Sequence, residues 1–147
     1  MTTSTVQADT RIRRASGLAE DARLEVVRRA FEYLTVEPSK RSRTEYDAIF
    51  APQFELFGPA RENCANHSNV RPGHNLFSSF SGSELTISRM VASGDRVISY
   101  VRFAGDHTGE FEGHQPTGRR MTADGIVVHR IGDDGRITEQ WSVLRWQ

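Results

Sequence analysis

The sequence predicts an α+β fold in which a curved antiparallel sheet is covered on one side by N-terminal helices. Three observations lead there. Apolar residues recur at helical spacing over Leu18–Leu34, the period changes to two from Glu84 onward, and the strand-like runs follow one another around short glycine turns. Successive strands joined by hairpins pair antiparallel, and helices confined to the first half then share one face of the sheet. At 147 residues the chain suits a single domain, 18–147, behind a flexible polar tail, 1–17.

In the first helix Leu24, Val27, Phe31 and Leu34 mark one face, with Val26 and Ala30 beside them. Glu20 and Asp21 suit the positive end of its dipole, and Pro38 stands just past its end. Ser42 and Glu45 form an S-x-x-E capping box for a second helix, whose Tyr46, Ile49 and Phe50 share a face until Pro52. Gln53–Phe57 reads as a short strand, and 60–73 as a long polar loop. Pro72 opens a third helix that buries Leu76, Phe77 and Phe80 and is stopped by Ser81-Gly82-Ser83. Leu85–Ala92 and Arg96–Phe103 form a hairpin around Gly94-Asp95, and Met121–Ile131 and Arg136–Trp146 another around Asp133-Asp134-Gly135. A Gly-, His- and Thr-rich stretch, 105–120, joins the two hairpins.

Composition removes many chemistries. Nineteen basic and nineteen acidic residues balance to zero net charge, which argues against a nucleic-acid partner. No apolar run is long enough for a membrane span or a signal peptide, so a cytoplasmic location is expected. The single cysteine, Cys64, cannot form an internal disulfide, and the single lysine, Lys40, sits in a polar stretch unsuited to a Schiff base. No pair of histidines has metal-ligand spacing, so a metal is disfavoured, and the glycines at 105, 109, 113 and 118 make no dinucleotide fingerprint.

Pairing the last hairpin through Asp134-Gly135 sets Arg130 opposite Glu139, Val128 opposite Trp141, Ile126 opposite Val143 and Asp124 opposite Arg145, all on one face. Asp124 is the odd residue there, a carboxylate beside an apolar run. Facing inward it would be a general base; facing outward it would be one half of a weak cross-strand ion pair. His107 follows the strand Arg96–Phe103 and comes near residues 122–124 if residues 97–107 pair antiparallel with 121–130 across the connecting stretch. It would then hold Asp124 or share its proton, the alternative being a loop histidine bonded to a backbone carbonyl. Tyr46, Phe50, Phe57, Phe77 and Trp141 are core residues or the lining of a cone-shaped cavity for a flat apolar ligand, with His74 one turn from Phe77 at its opening.

The run Gly105-Asp106-His107-Thr108-Gly109-Glu110-Phe111, then Pro116-Thr117-Gly118-Arg119-Arg120, and Asp134-Gly135-Arg136-Ile137 with Glu139 and Trp141, resembles the SnoaL-like polyketide cyclases. That group is similar in fold to nuclear transport factor 2. The resemblance implies a cone-shaped α+β barrel, often a homodimer, with an internal pocket and no cofactor. It implies an Asp–His pair acting as acid and base in an intramolecular aldol closure; His107 matches by position the His of the family's G-x-H-x-G segment, and Asp124 is the best match for the acid/base. Many relatives carry an Asp four residues after the tryptophan, where this chain has Arg145.

The expectation is therefore a cofactor-independent cyclase or isomerase of secondary metabolism acting on a hydrophobic, polyketide-like small molecule. Asp124 and His107 would be catalytic, and Trp141, Arg145, Tyr46, Phe50, Phe57, His74 and Phe77 would bind substrate. Two alternatives stay open, a water-adding enzyme using the same pocket and a non-catalytic binding module.

Overall fold

Among the described residues two α-helices, one strand and a third, short α-helix precede four long strands, the order that the change of period foretells. The structure, a computed structural model, describes residues 10–57 and 74–147. Helix α1 spans Thr10–Thr35, so it begins well before Leu18 and takes in part of the segment read as a tail. Arg and Ala are good helix formers and carry the helix back through this polar stretch. Residues 1–9 lie outside the described residues, as do 58–73 with Cys64 and the expected helix start at Pro72.

Helix α2, Arg43–Ile49, starts at the expected cap: the Ser42 side chain accepts a hydrogen bond from the Glu45 amide at 3.3 Å. The chain leaves the helix directly into β1, Phe50–Phe57. The strand is longer than the expected Gln53–Phe57 and contains Pro52, which an edge strand tolerates. Helix α3 covers His74–Ser79, and β2 follows at once over Phe80–Ser93. The Ser81-Gly82-Ser83 segment therefore does not end the helix. It makes an irregularity within β2, where the register shifts between Ser81 and Glu84 and Gly82 takes φ +57°. Strands β3 (Arg96–His107), β4 (Arg120–Ile131) and β5 (Ile137–Trp146) complete the sheet.

The strand order is β1-β5-β4-β3-β2. All pairs are antiparallel except β1 with β5, so the sheet is mixed rather than antiparallel throughout. The parallel pair arises because β1 connects through α3 to the far edge of the sheet instead of turning back on itself. Register shifts in β1, β2 and the β4–β5 pair bend the strands and give the sheet a concave and a convex face.

Helix α1 lies on the concave face, packing mainly against β2 and β3. Its Val26, Val27, Ala30, Phe31, Tyr33 and Leu34 are buried, as are Val97, Val101 and Phe103 of β3 and Val127 and Ile131 of β4. Arg41 ties the helical layer together: its guanidinium donates to the Leu34 and Val36 carbonyls at the end of α1 and lies over the Tyr33 and Phe77 rings. Among the described residues no helix is long and apolar enough to cross a membrane.

Candidate active site

Strict alternation along β3 puts Val97, Ser99, Val101, Phe103, Gly105 and His107 on the concave face, and all six are buried. His107, the last of them, is 3% exposed. Its backbone is fixed at both ends of the loop that follows. The His107 amide donates to the Arg119 carbonyl at 2.9 Å, and the Gly118 amide donates to the His107 carbonyl at 2.8 Å. The loop also docks on α3, where the Thr108 and Gly109 amides donate to the Ser79 carbonyl and the Ser79 hydroxyl donates to the Glu110 carbonyl.

The imidazole is oriented by Thr117. The Thr117 amide lies 3.4 Å from Nδ1, and the Thr117 hydroxyl lies 3.2 Å from the same atom. An amide N–H can only donate, so Nδ1 is the acceptor and the proton of the neutral ring sits on Nε2. The Nε2 atom is buried and has no hydrogen-bond partner among the described residues. A buried polar group left unpaired costs about 1–3 kcal/mol, so its persistence calls for a use.

Beside this ring stands an aromatic wall that begins at Phe80. Phe80 stacks on the His107 ring with centroids 5.1 Å apart, and on Trp146 at 5.2 Å. Phe111 meets both Phe80 and Trp146 edge-on, and Phe103 contacts Phe77, Phe80 and Trp146 in the same way. Gly105 makes room for this packing, since a Cβ there would fall 2.9 Å from the Phe80 Cβ. The result is a buried imidazole N–H whose ring lies against Phe80 at the edge of an aromatic cluster. Such a donor can polarise a carbonyl or stabilise an enolate oxygen.

Asp124 is not part of this site. The hairpin register is as expected, with Asp124 opposite Arg145, Ile126 opposite Val143, Val128 opposite Trp141 and Arg130 opposite Glu139, but the face is the convex one. The Asp124 side chain is 44% exposed and bonded to Arg102 at 2.8 Å, with Gln147 as a further donor. The Arg102 guanidinium holds its carboxyl below the ordinary carboxylate range, the opposite of what a base working near neutrality needs. Its partner on β3 is Arg102, five residues before His107, an offset of roughly 17 Å along the strand and on the other face. The expected Asp124–His107 pair does not form, because alternation sends the two side chains to opposite sides of one sheet.

The expected substrate residues divide three ways. Phe77 joins the His107 wall. Tyr46 and Phe50 stack on each other at 4.8 Å in the helical layer, where Phe50 is fully buried. Phe57, Trp141 and Arg145 lie exposed on the convex face with Asp124, so they cannot line a concave pocket. His74 begins α3, and its side chain lies outside the described residues. The residues that do build the wall beside His107 are Phe80, Phe103, Phe111, Thr117 and Trp146. Parity along β3 singles out Phe103 with His107, and Trp146 has the opposite parity to Trp141.

A second buried polar group lies near the other end of the concave face. His129 Nε2 and Gln140 Oε1 are 3.1 Å apart, and Phe31 of α1 meets the ring edge-on at 5.5 Å. Burial pushes the His129 pKa down to about 4, partly opposed by the Gln140 hydrogen bond, so the ring is neutral at neutral pH. With Nε2–H donating to Gln140, Nδ1 is a bare acceptor. Neither it nor the nearby Ser99 hydroxyl has a partner among the described residues. No three His, Cys, Asp or Glu side chains among the described residues gather in a way that would hold a metal ion.

The sequence pattern of the SnoaL-like polyketide cyclases matches residues 45–144. Among curated proteins, no sequence matches this chain. Among solved structures, a candidate SnoaL-like polyketide cyclase from Jannaschia sp. CCS1 superposes with a TM-score of 0.67 at 21% identity, over 85% of this chain and 86% of that one. IdmH, a candidate polyketide cyclase from Streptomyces antibioticus, gives 0.64 at 22% identity over 83% and 91%. AclR, a candidate hydroxylase from Streptomyces galilaeus, gives 0.59 at 20% over 84% and 81%. The fold is therefore the cone-like α+β fold of nuclear transport factor 2, built on an unclosed five-stranded sheet. With the match running from α2 to the last strand, the chain belongs to the SnoaL-like polyketide cyclase family.

Proposed function

We propose that the chain is a cyclase-type acid/base enzyme that closes a ring in an aromatic or polyketide-like small molecule at the His107 end of the concave face. The observation that carries this reading is the buried, proton-bearing Nε2 of His107, unpartnered among the described residues and set beside Phe80, Phe103, Phe111 and Trp146. In an intramolecular aldol closure the enol carbon of a β-dicarbonyl unit attacks a second carbonyl carbon. Negative charge develops on that carbonyl oxygen, where the Nε2–H hydrogen bond is strongest. The enol proton ends on the new alkoxide oxygen, so the product is an isomer of the substrate. The flat wall holds a conjugated substrate in the folded conformation that brings the two carbons together.

In this reading the His107 Nε2–H stabilises the developing oxyanion, the enol proton reaches that oxygen through solvent, and Asp124 has no part. Replacing His107 by Gln removes the imidazole from the wall. Turnover of a synthetic poly-β-ketone falls by about 10²–10⁴, while binding followed by Trp146 fluorescence changes little. Unchanged turnover in His107→Gln overturns the assignment.

One observation favours a second reading. With Asp124 on the convex face, none of the buried polar side chains of the concave face is a carboxylate among the described residues, as suits a module that only binds its ligand. Such a module binds the poly-β-ketone and returns it unchanged in wild type and variant alike. Water addition is separated in the same assay by running it in labelled water, since carbon–carbon closure incorporates no solvent oxygen.

A further inference from the structure

The loop between β3 and β4, residues 108–119, is fastened at both ends to different parts of the fold. Its last residues close on His107. Its first residues close on the junction of α3 and β2, where Ser79 ends the helix and is only 6% exposed. The Ser79 carbonyl accepts from the Thr108 amide at 3.2 Å and from the Gly109 amide at 2.9 Å. The Ser79 hydroxyl donates to the Glu110 carbonyl at 2.6 Å, and the Thr108 hydroxyl donates to the Ser81 hydroxyl oxygen at 3.2 Å. Gly109 permits this approach, since a Cβ there would fall 3.2 Å from the Ser79 Cα. Between the two ends the chain turns tightly, with Phe111 and His114 exchanging backbone hydrogen bonds at 3.0 and 2.9 Å. Held in this way the loop acts as a strut between α3 and His107.

At the His107 end the bonds run in one direction around a closed ring. The His107 amide donates to the Arg119 carbonyl, the Arg119 amide donates to the Thr117 hydroxyl oxygen at 3.3 Å, and that hydroxyl lies 3.2 Å from His107 Nδ1. With a lone pair engaged by the Arg119 amide, the Thr117 hydroxyl gives its proton to Nδ1. Nδ1 thus receives two donors from one residue, the hydroxyl and the amide. A proton on Nδ1 would leave both without an acceptor on the ring, so both favour the tautomer protonated at Nε2. Thr117 itself is exposed, so its hydroxyl is not there to fill the core.

We propose that Thr117 and Ser79 are positioning residues for His107. Thr117 sets the tautomer of the ring, and Ser79, whose hydrogen bonds go to the loop, holds Thr117 in place from the far end of the strut. Their part in turnover rests on the reaction proposed above for His107; their effect on the state of the ring does not.

Nitrogen NMR of the histidine-labelled chain without substrate tests the effect on the ring, with the His107 signals assigned by their loss in His107→Gln. The wild type shows Nδ1 as an unprotonated ring nitrogen and Nε2 as a protonated one. In Thr117→Val the two signals move toward each other as the proton divides between the nitrogens. Thr117→Ser keeps the hydroxyl and returns them to their wild-type positions, and Ser79→Ala moves them in the Thr117→Val direction by a smaller amount. On the poly-β-ketone, Thr117→Val lowers kcat about 3- to 10-fold and leaves KM within about twofold, the size expected of one neutral hydrogen bond. Adding Ser79→Ala to Thr117→Val lowers kcat no further, because both act through the same bond, whereas independent effects would multiply. Circular dichroism confirms that each variant is folded. A wild-type ring protonated on Nδ1, ring signals unmoved by Thr117→Val, or Ser79 and Thr117 effects that multiply overturns the proposal. Ring signals that respond as described, together with wild-type turnover in His107→Gln, uphold the positioning and remove the reaction assigned to His107.

Discussion

The two faces of the central sheet are made by the same strands, yet each carries what a simple inside–outside rule assigns to the other. The concave face, under α1 and α3, holds His107, His129, Ser99 and Gln140 among its aliphatic and aromatic residues. The convex face shows Trp141, Tyr100 and Val143 to solvent between rows of paired arginines and carboxylates. Buried polar groups cost stability unless satisfied, and exposed aromatic ones favour association. The concave departure fits the use proposed for His107, and the convex one gathers most of the exposed large apolar side chains of the described residues on one face. What separates the faces is the company of each polar group. Charges are matched on the convex face, and lone donors and acceptors are left on the concave one.

That comparison can be broken or sharpened by substitution. The largest structural effect belongs to Phe103, which is fully buried and touches three aromatic rings. Phe103→Ala costs about 3–5 kcal/mol in urea unfolding, because the wall beside His107 cannot collapse to fill the space. A loss below about 1 kcal/mol would mean that the wall is loosely packed.

His129 gives the next effect, and its sign follows from the direction of its shift. The folded pKa, about 4, lies below the ordinary 6.5. Between these values the unfolded chain binds a proton that the folded chain refuses, so stability falls as pH falls through this window. From pH 7 to pH 4 this residue removes about 3 kcal/mol, and the slope of stability against pH over that window is flatter in His129→Gln. Equal slopes would place the acid sensitivity elsewhere.

Ser99 tests whether the concave face keeps polar groups at a cost. Its buried hydroxyl lacks a partner among the described residues, so Ser99→Ala raises stability by up to about 1 kcal/mol, read as a higher melting temperature. A loss instead shows the hydroxyl to be satisfied inside the fold. The smallest effect is on the convex face. Asp124→Asn removes an exposed, solvent-screened ion pair and leaves the melting temperature and its acid dependence nearly unchanged.

Much of this layout is legible in the sequence, and the part that is not has a definite cause. The capping box at Ser42, the Gly94-Asp95 turn and the register of the last hairpin from Asp124 to Arg130 depend on local chemistry and on period-two spacing. The two-residue Asp134-Gly135 turn does not form: the Gly135 amide donates to the Gly132 carbonyl around Asp133-Asp134, and the register shifts after Arg130. The choice of face depends on the number of apolar residues on each side, and here both sides have many. Val128, Trp141 and Val143 look like a core stripe, and Asp124 looks like an intruder in it. The opposite stripe of Ala123, Gly125, Val127 and His129 looks weaker because two of its residues are small. Gly125 is small for a reason that only the fold shows: a Cβ there would meet the Val143 carbonyl at 2.6 Å and Leu144 at 2.4 Å. His107 is visible as a candidate from its place after the strand-like run Arg96–Phe103 and from the Gly105-Asp106-His107-Thr108-Gly109 segment. Its orienting partner, Thr117, is brought to it by the bonds that close the loop, which no spacing rule encodes.

The central claim is that the chemistry sits on the concave face at His107 and that Asp124 is a surface ion-pair residue. It is tested most directly by measuring kcat for His107→Gln and Asp124→Asn side by side on the same poly-β-ketone. The account predicts a loss of about 10²-fold or more for the first and a change of less than about twofold for the second. A large loss in Asp124→Asn with an active His107→Gln would contradict it.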